Sequence, residues 1–457
     1  MLACAPVHAQ TIQAGGSQKT SRPVRSDNVS FQLFRLQNGL TVILSEDHAA
    51  PTYSICVTYN VGARDERPGR TGFAHLFEHM MFEGSENVGK GEHFILVLNN
   101  GGRMNGTTSA DRTNYFETLP ANQLELGLFL ESDRMRSLKI NRANFDNQRH
   151  AVQEERRQNL DNRAYGRTRE VILESTYNNF AYSHSTMGSM EDLNAATIED
   201  AIEFFKSYYA PNNAVLSLVG DFKAEKALAL VKKYFESIPS QPPPPIPDMA
   251  EPEQKGERRK TIEDAFAKTS RIDIVYKIPP GNTPDWHALK VLSQVLTGGF
   301  SSRLYQKLVR EKEVALNVSS APEERRGPSL FSISIAVRPG KEFQEIERLL
   351  YEEIERIKKE AVADWELEKV RMQSRRQHAQ DLYSTRIRAN LLGHYAVYYN
   401  DPGLINGVQE KIDRVTALDI QRAARAYLKE TNRTVVWTVP KPPGQPEPRP
   451  GDSPDKK

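Results

Sequence analysis

The sequence predicts an α+β protein assembled from a duplicated domain, and three observations lead there. Apolar-rich segments at 31–36 and 40–44 flank Asn38-Gly39, a strong β-hairpin signal. Phe343, Ile346, Leu350, Ile354 and Ile357 are spaced three, four, four and three apart, laying one apolar stripe along a long helix. The segment TIEDAIEFFKSYYAPNNAVLSLV from Thr197 matches TALDIQRAARAYLKETNRTVVWTV from Thr416 at a constant offset of 219 residues. Thr197 faces Thr416, Asp200 faces Asp419, Tyr208 faces Tyr427 and Asn213 faces Asn432, and each copy reads as helix-start threonine, amphipathic helix, turn and strand. Helices mixed with hairpin-like strands argue against a doubly wound parallel sheet.

Taken in order, the 457 residues open with MLACAPVHAQ, which reads as the tail of a secretory signal. Val7-His8-Ala9 before Gln10 fits small-x-small cleavage, and Cys4 in MLAC offers a lipid-anchored cysteine as the alternative. Residues 1–30 are therefore expected to be a signal remnant and flexible N-terminus, and the protein to be periplasmic or otherwise exported. With residues 1–9 removed Cys56 is the one cysteine left, which excludes an internal disulfide. Tyr53, Ile55, Val57 and Tyr59 alternate around it as in a strand. A first domain spans 31–238. The proline-rich, charged stretch at 239–259 reads as an extended linker. The homologous second domain spans 260–439, and 440–457 reads as a disordered tail. The net charge of +2 gives no electrostatic case for nucleic acid or an anionic membrane. No apolar run reaches the roughly 18 residues that a transmembrane helix needs.

The chemistry concentrates in TGFAHLFEHMMFEGS, residues 71–85. On a helix His75 and His79 stand at i and i+4, on one face, where two imidazoles can meet one ion. Glu78 borders that face and can take a proton from a metal-activated water. Zinc hydrolases use three protein ligands. The charged helix NFDNQRHAVQEERRQNLDN, residues 144–162, offers Glu154 or Glu155 as the third. The competing reading is two partly exposed histidines on a packed helix. The cluster has no counterpart in the second copy, so chemistry belongs to the first.

HLFEH resembles the inverted zinc motif of the pitrilysin and insulin-degrading enzyme family, which includes the mitochondrial processing peptidase. That resemblance implies a third ligand about 76 residues beyond the second histidine, and Glu155 lies 76 beyond His79. QRHAVQEERR resembles the family helix around that ligand, although Gln148 stands where the family has an acid. GGRMNGTTSADRTNYFETLP, residues 101–120, resembles the edge strand that pairs with substrate backbone. Asn105 is then the expected substrate contact, with a turn residue as the alternative. The implied fold is two homologous α/β sandwich domains, each a mostly antiparallel sheet with helices on one side. Together they form half of a clamshell chamber. In the second half, SSRLYQKLVREKEVALNV resembles the family segment bearing an arginine and a tyrosine that reach substrate. Arg310 matches; Asn317 stands in place of the tyrosine. Gly298-Gly299 resembles a glycine-rich loop at the chamber entrance, with a plain helix end as the alternative.

The resemblance implies a zinc endopeptidase with one Zn²⁺ per chain, cutting peptides or unfolded polypeptides. The alternatives are a non-catalytic zinc-binding structural subunit and a dedicated processing peptidase for one peptide. The missing tyrosine implies a homologous partner subunit carrying the arginine–tyrosine pair, with a homodimer as the alternative. No nucleic acid partner and no transmembrane segment are expected.

Overall fold

The structure is a computed structural model that describes residues 28–442; the signal and lipidation readings, and nearly all of the tail, lie outside the described residues. The first half builds a six-stranded sheet from β1 (Gln32–Arg35), β2 (Thr41–Glu46), β3 (Thr52–Tyr59), β4 (Arg103–Thr108), β5 (Thr113–Pro120) and β6 (Ala214–Gly220). Their order is β1-β2-β6-β3-β5-β4. The second half builds β7 (Arg258–Asp264), β8 (Arg271–Ile278), β9 (Ala315–Pro322), β10 (Ser329–Val337) and β11 (Arg433–Pro440), in the order β7-β11-β8-β10-β9. This is the first order without β1. In both sheets one pair is parallel, β2 with β6 and β7 with β11, and the rest are antiparallel.

The local chemistry repeats with the topology. Thr197 and Thr416 each cap a helix in a reciprocal box with Asp200 and Asp419. Asn213 donates to the Tyr208 carbonyl at 2.9 Å, and Asn432 to the Tyr427 carbonyl at 2.7 Å. At the first turn, Gly39 takes φ +87°, and the Asn38 amide donates to the Phe235 and Ile238 carbonyls.

Five helices of the first half bear on the site and its packing: α1 (Phe73–Met80), α2 (Glu92–Asn99), α3 (Leu124–Ser137), α4 (Arg142–Arg156) and α5 (Thr168–Thr176). α1 and α3 pack on one face of the first sheet around Tyr53, Ile55, Val57, Leu76, Phe77 and Leu128. What lies on the other face was not legible in the sequence. Helix Thr385–Tyr399, from the second half, packs there against β3 and β6, with Ala389, Leu392 and Tyr395 on Ile43, Cys56, Val215 and Val219. Reciprocally, α5 lies on the second sheet, with Ile172, Leu173 and Tyr177 on Val275, Leu330 and Val436. The expected helices on one side therefore describe each half's own helices, and an exchanged helix covers the opposite face. Cys56, Ser54, Thr58 and Ser217 are small because the exchanged helix comes close. A Cβ at Gly393 would stand 2.6 Å from Thr58 Oγ1.

The stretch expected to be an extended linker, 239–259, is tied to both halves. β7 begins at Arg258, inside the expected linker, and Pro440 closes β11 rather than opening a tail. The stretch before β7 has no regular secondary structure but is anchored. Glu251, whose side chain is 3% exposed, accepts from the Asn178 and Asn179 backbone nitrogens and pairs with Lys277 at 2.9 Å. Gln254 donates to the Arg433 carbonyl at 2.8 Å.

Candidate metal centre

α1 starts where Gly72 adopts φ +87°, a position at which a Cβ would sit 2.8 Å from the Met187 carbonyl. Its first amides are capped from outside the helix. Buried Glu66 accepts from Gly72 N at 2.9 Å and Ala74 N at 2.8 Å, and His184 Nε2 lies 3.0 Å from the same carboxylate. Phe73, Leu76, Phe77 and Met80 bury the apolar face, with Phe77 against Phe204 and Tyr209. The other face presents His75 and His79, their rings 4.9 Å apart.

Glu155 stands in the last turn of α4, where the helix passes into a π-helical turn at Arg157–Asp161. Its Oε2 lies 3.2 Å from His79 Nε2 and 3.7 Å from His75 Nε2. Around a tetrahedral zinc with bonds of about 2.0–2.2 Å, ligand atoms stand about 3.3–3.5 Å apart. The three side chains are thus spaced to share one ion, and the two-imidazole, one-carboxylate set suits zinc. Burial, and next the neighbouring His79, push the His75 imidazole down to about 4, so it is neutral at pH 7 with a lone pair to give. Asn159 donates to the other oxygen of Glu155 at 3.2 Å. Glu154 instead points its carboxylate at Arg157 and Gln158 on the exposed side of the helix.

Glu78 is held from the edge strand. Thr108 Oγ1, at the end of β4, donates to Glu78 Oε2 at 2.6 Å. Gly106 leaves the room, because a Cβ there would stand 2.9 Å from Glu78 Cγ. Burial raises the Glu78 pKa above the usual carboxylate value, and the Thr108 hydrogen bond opposes that rise. Asn105 lies two strand positions before Thr107 on the same β4, which is the edge of its sheet; its Oδ1 accepts from Gly106 N at 2.9 Å.

Arg310 and Asn317 are not brought to this group. Arg310 is exposed on a π-helical turn, Tyr305–Glu311, and Asn317 is exposed on β9, the edge of the second sheet, opposite Ala336. Gly298-Gly299 ends helix Pro284–Thr297, with Gly298 N on the Gln294 carbonyl at 2.8 Å and Gly299 at φ +87°.

Sequence reasoning missed Thr108, Gly106, Glu66 and His184. It also missed a second convergence of possible ligands, His93, Glu117 and Glu131, all fully buried under α2 and α3. His93 Nε2 is 2.5 Å from Glu117, while Arg134 grips Glu131 and stacks on Tyr115 at 4.5 Å. The guanidinium already supplies the positive charge that a cation would bring, so this group is a buried ionic cluster joining α2, β5 and α3.

Comparison with known proteins matches this layout. Residues 41–190 fit the family model for insulinase (peptidase family M16), and residues 195–374 fit that for the peptidase M16 inactive domain. The zinc protease PqqE of Helicobacter pylori is 30% identical over 408 residues, spanning 89% of this chain and 92% of that protein. The chain belongs to peptidase family M16. The M16 match contains His75, Glu78, His79, Asn105 and Glu155, and the inactive-domain match contains Arg310 and Asn317. The crystal structure of a protease from Helicobacter pylori superposes with a TM-score of 0.86 at 30% identity, covering 91% of this chain and 100% of that one. The M16 fold also recurs in the periplasmic protease PqqL of Escherichia coli, at a TM-score of 0.75 and 18% identity, where the match covers 90% of this chain and 47% of that one.

Proposed function

We propose that this M16 chain is a zinc-dependent endopeptidase that hydrolyses peptides or unfolded polypeptides within an enclosed chamber. The observation that carries the reading is the convergence of His75, His79 and Glu155 at ligand spacing, with Glu78 on the same helix. Held by His75, His79 and Glu155, zinc would supply the Lewis acidity that polarises a scissile carbonyl and makes a water more acidic. Glu78 Oε1 accepts the proton of that water while Oε2 stays on Thr108. The same carboxyl then delivers the proton to the departing amine. The open edge of β4 offers backbone donors and acceptors to an extended peptide, with Asn105 beside it, so recognition reads backbone more than sequence.

A structural subunit that binds zinc without turnover has no use for a general base held at 2.6 Å by a strand hydroxyl. Glu78→Gln is expected to keep zinc and fold while losing about 10²–10⁴-fold in turnover of an unstructured peptide library. Retention of more than about a tenth of wild-type turnover would remove Glu78 from the mechanism. Chelation should abolish wild-type cleavage, and elemental analysis should return close to one zinc per chain. Whether one peptide or many disappear from the library separates a dedicated processing enzyme from a general one.

The second half lacks the tyrosine that the family resemblance implies, at Asn317. We therefore assign the chain as one half of a clamshell whose second half is a homologous subunit bearing the arginine–tyrosine pair. Orientation of a peptide from both walls is a large part of catalysis. The match to 47% of PqqL, a chain with room for two such units, supports that pairing. A homodimer with full activity, not raised by Asn317→Tyr, would end the heterodimer reading. Among the described residues no helix is long and apolar enough to cross a membrane, and export rests on the Val7-His8-Ala9 pattern.

A further inference from the structure

The two helices that carry the candidate ligands are tied at a second point, away from those ligands. Asn144, Gln148 and Glu155 are spaced four and seven apart, so they share one stripe of α4. That stripe meets the chain just past α1. Asn144 Nδ2 donates to the Glu83 carbonyl at 3.1 Å, and Gln148 Nε2 donates to Glu83 Oε1 at 2.5 Å. Glu83 is 7% exposed, and its other oxygen lies 2.7 Å from Lys90 Nζ. The carboxylate absent from position 148 is thus present across the contact.

We propose that the Glu83–Gln148 hydrogen bond is a positioning contact for the metal centre, fixing the register of α4 against α1 so that Glu155 meets the two imidazoles. The proposal rests on the zinc reading above. Gln148 precedes Glu155 by two helical turns, about 10 Å at 1.5 Å per residue. A metal site tolerates ligand displacements of about 0.2 Å. Sliding α4 by one residue moves Glu155 by about 1.5 Å and turns it by about 100°, far outside that tolerance. A buried carboxylate demands a donor, which makes Glu83 hold Gln148 in one place and reject an acid there. Neither side chain reaches the candidate ligands, so both act through the helices.

The test is zinc affinity, measured by competition with a chromophoric chelator on the full chain, with far-ultraviolet circular dichroism as the fold control. Gln148→Glu sets two carboxylates against each other, and zinc should bind about 10-fold more weakly, the low end for outer-shell partners of metal ligands. A purely electrostatic effect has the opposite sign, because an added negative charge near a cation tightens its binding. The reciprocal double variant Glu83→Gln/Gln148→Glu restores donor to acceptor and should recover affinity to within about threefold. Gln148→Met removes the donor without adding charge, and should weaken zinc in the same direction if Gln148→Glu fails to fold. Unchanged affinity in Gln148→Met or Gln148→Glu, or no recovery in the double variant, overturns the proposal while leaving the zinc reading intact. Wild-type protein that takes no zinc from the chelator overturns both.

Discussion

Thr108 illustrates how a neighbour that does no chemistry can set the geometry of the proposed general base, Glu78. A carboxylate has two oxygens, and the Thr108 hydroxyl claims one of them. The other is then left for the water of the proposed reaction, and the side chain's rotation about its last bond is suppressed. Gly106 contributes by absence, since any side chain there would push Glu78 aside. Thr108→Val keeps the shape and removes the donor. Hydrogen bonds to charged groups are worth about 1.5–3 kcal/mol, so kcat should fall about 10-fold or more with KM and zinc content little changed. Thr108→Ser, which retains the hydroxyl, should recover most of the rate; peptide kinetics on the three proteins measure this. His75, Glu78 and His79 were legible because their spacing is a statement about one helix. Thr108 was not, because its reach depends on where the edge strand lies against that helix. The choice between Glu154 and Glu155 needed a family pattern, since both lie on α4 and the fold alone turns one inward.

At the scale of an element, α1 depends on a cap that the sequence hides. Glu66 precedes the helix by a loop, so no standard N-cap residue sits at Gly72, and the signal that marks most helix starts is missing. His184 lies far along the chain and grips the same carboxylate. Burial raises the Glu66 pKa, while the Glu66 carboxylate draws the His184 pKa above its ordinary 6.5 in spite of burial. Both groups therefore bind protons more tightly in the folded chain than in the unfolded one. The contribution of His184 is fully present below pH 6.5 and is lost as pH rises through its folded value. His184→Gln should accordingly cost more stability at pH 6 than at pH 8.5, read as the difference in denaturant midpoints between variant and wild type at each pH. Equal differences at both pH values would show that folding leaves the His184 pKa unshifted.

For the molecule as a whole, the exchange of α5 and helix Thr385–Tyr399 makes two apparent domains into one cooperative body. Leu392, fully buried, belongs by sequence to the second half but packs on the first sheet. Leu392→Ala should cost about 2–5 kcal/mol, and calorimetry should show a single transition moving down rather than one of two. Two separated transitions would mean that the exchanged helices are ornamental. The duplication itself was legible, because the capping threonines, tyrosines and asparagines keep one offset. The exchange was not, because an apolar stripe says that a helix is covered and never says by which sheet. The anchoring of the linker was not legible for a related reason: proline and charge predict extension, but a contact such as Gln254 with the Arg433 carbonyl joins residues far apart in the chain.

The exchanged helices also constrain how the chain can be made. The last strand of the first sheet, β6, ends at Gly220, yet the helix that covers the sheet's second face runs from Thr385 to Tyr399. At about 5–20 residues per second, ribosomes emit the intervening segment over roughly 10–40 s. Through that interval Ile43, Cys56, Val215 and Val219 stay wet on a nascent sheet, a sticky surface before its cover exists. Synthesis of this protein should therefore lean on chaperones that hold nascent chains, and slowing translation ahead of Thr385 should raise aggregation rather than lower it.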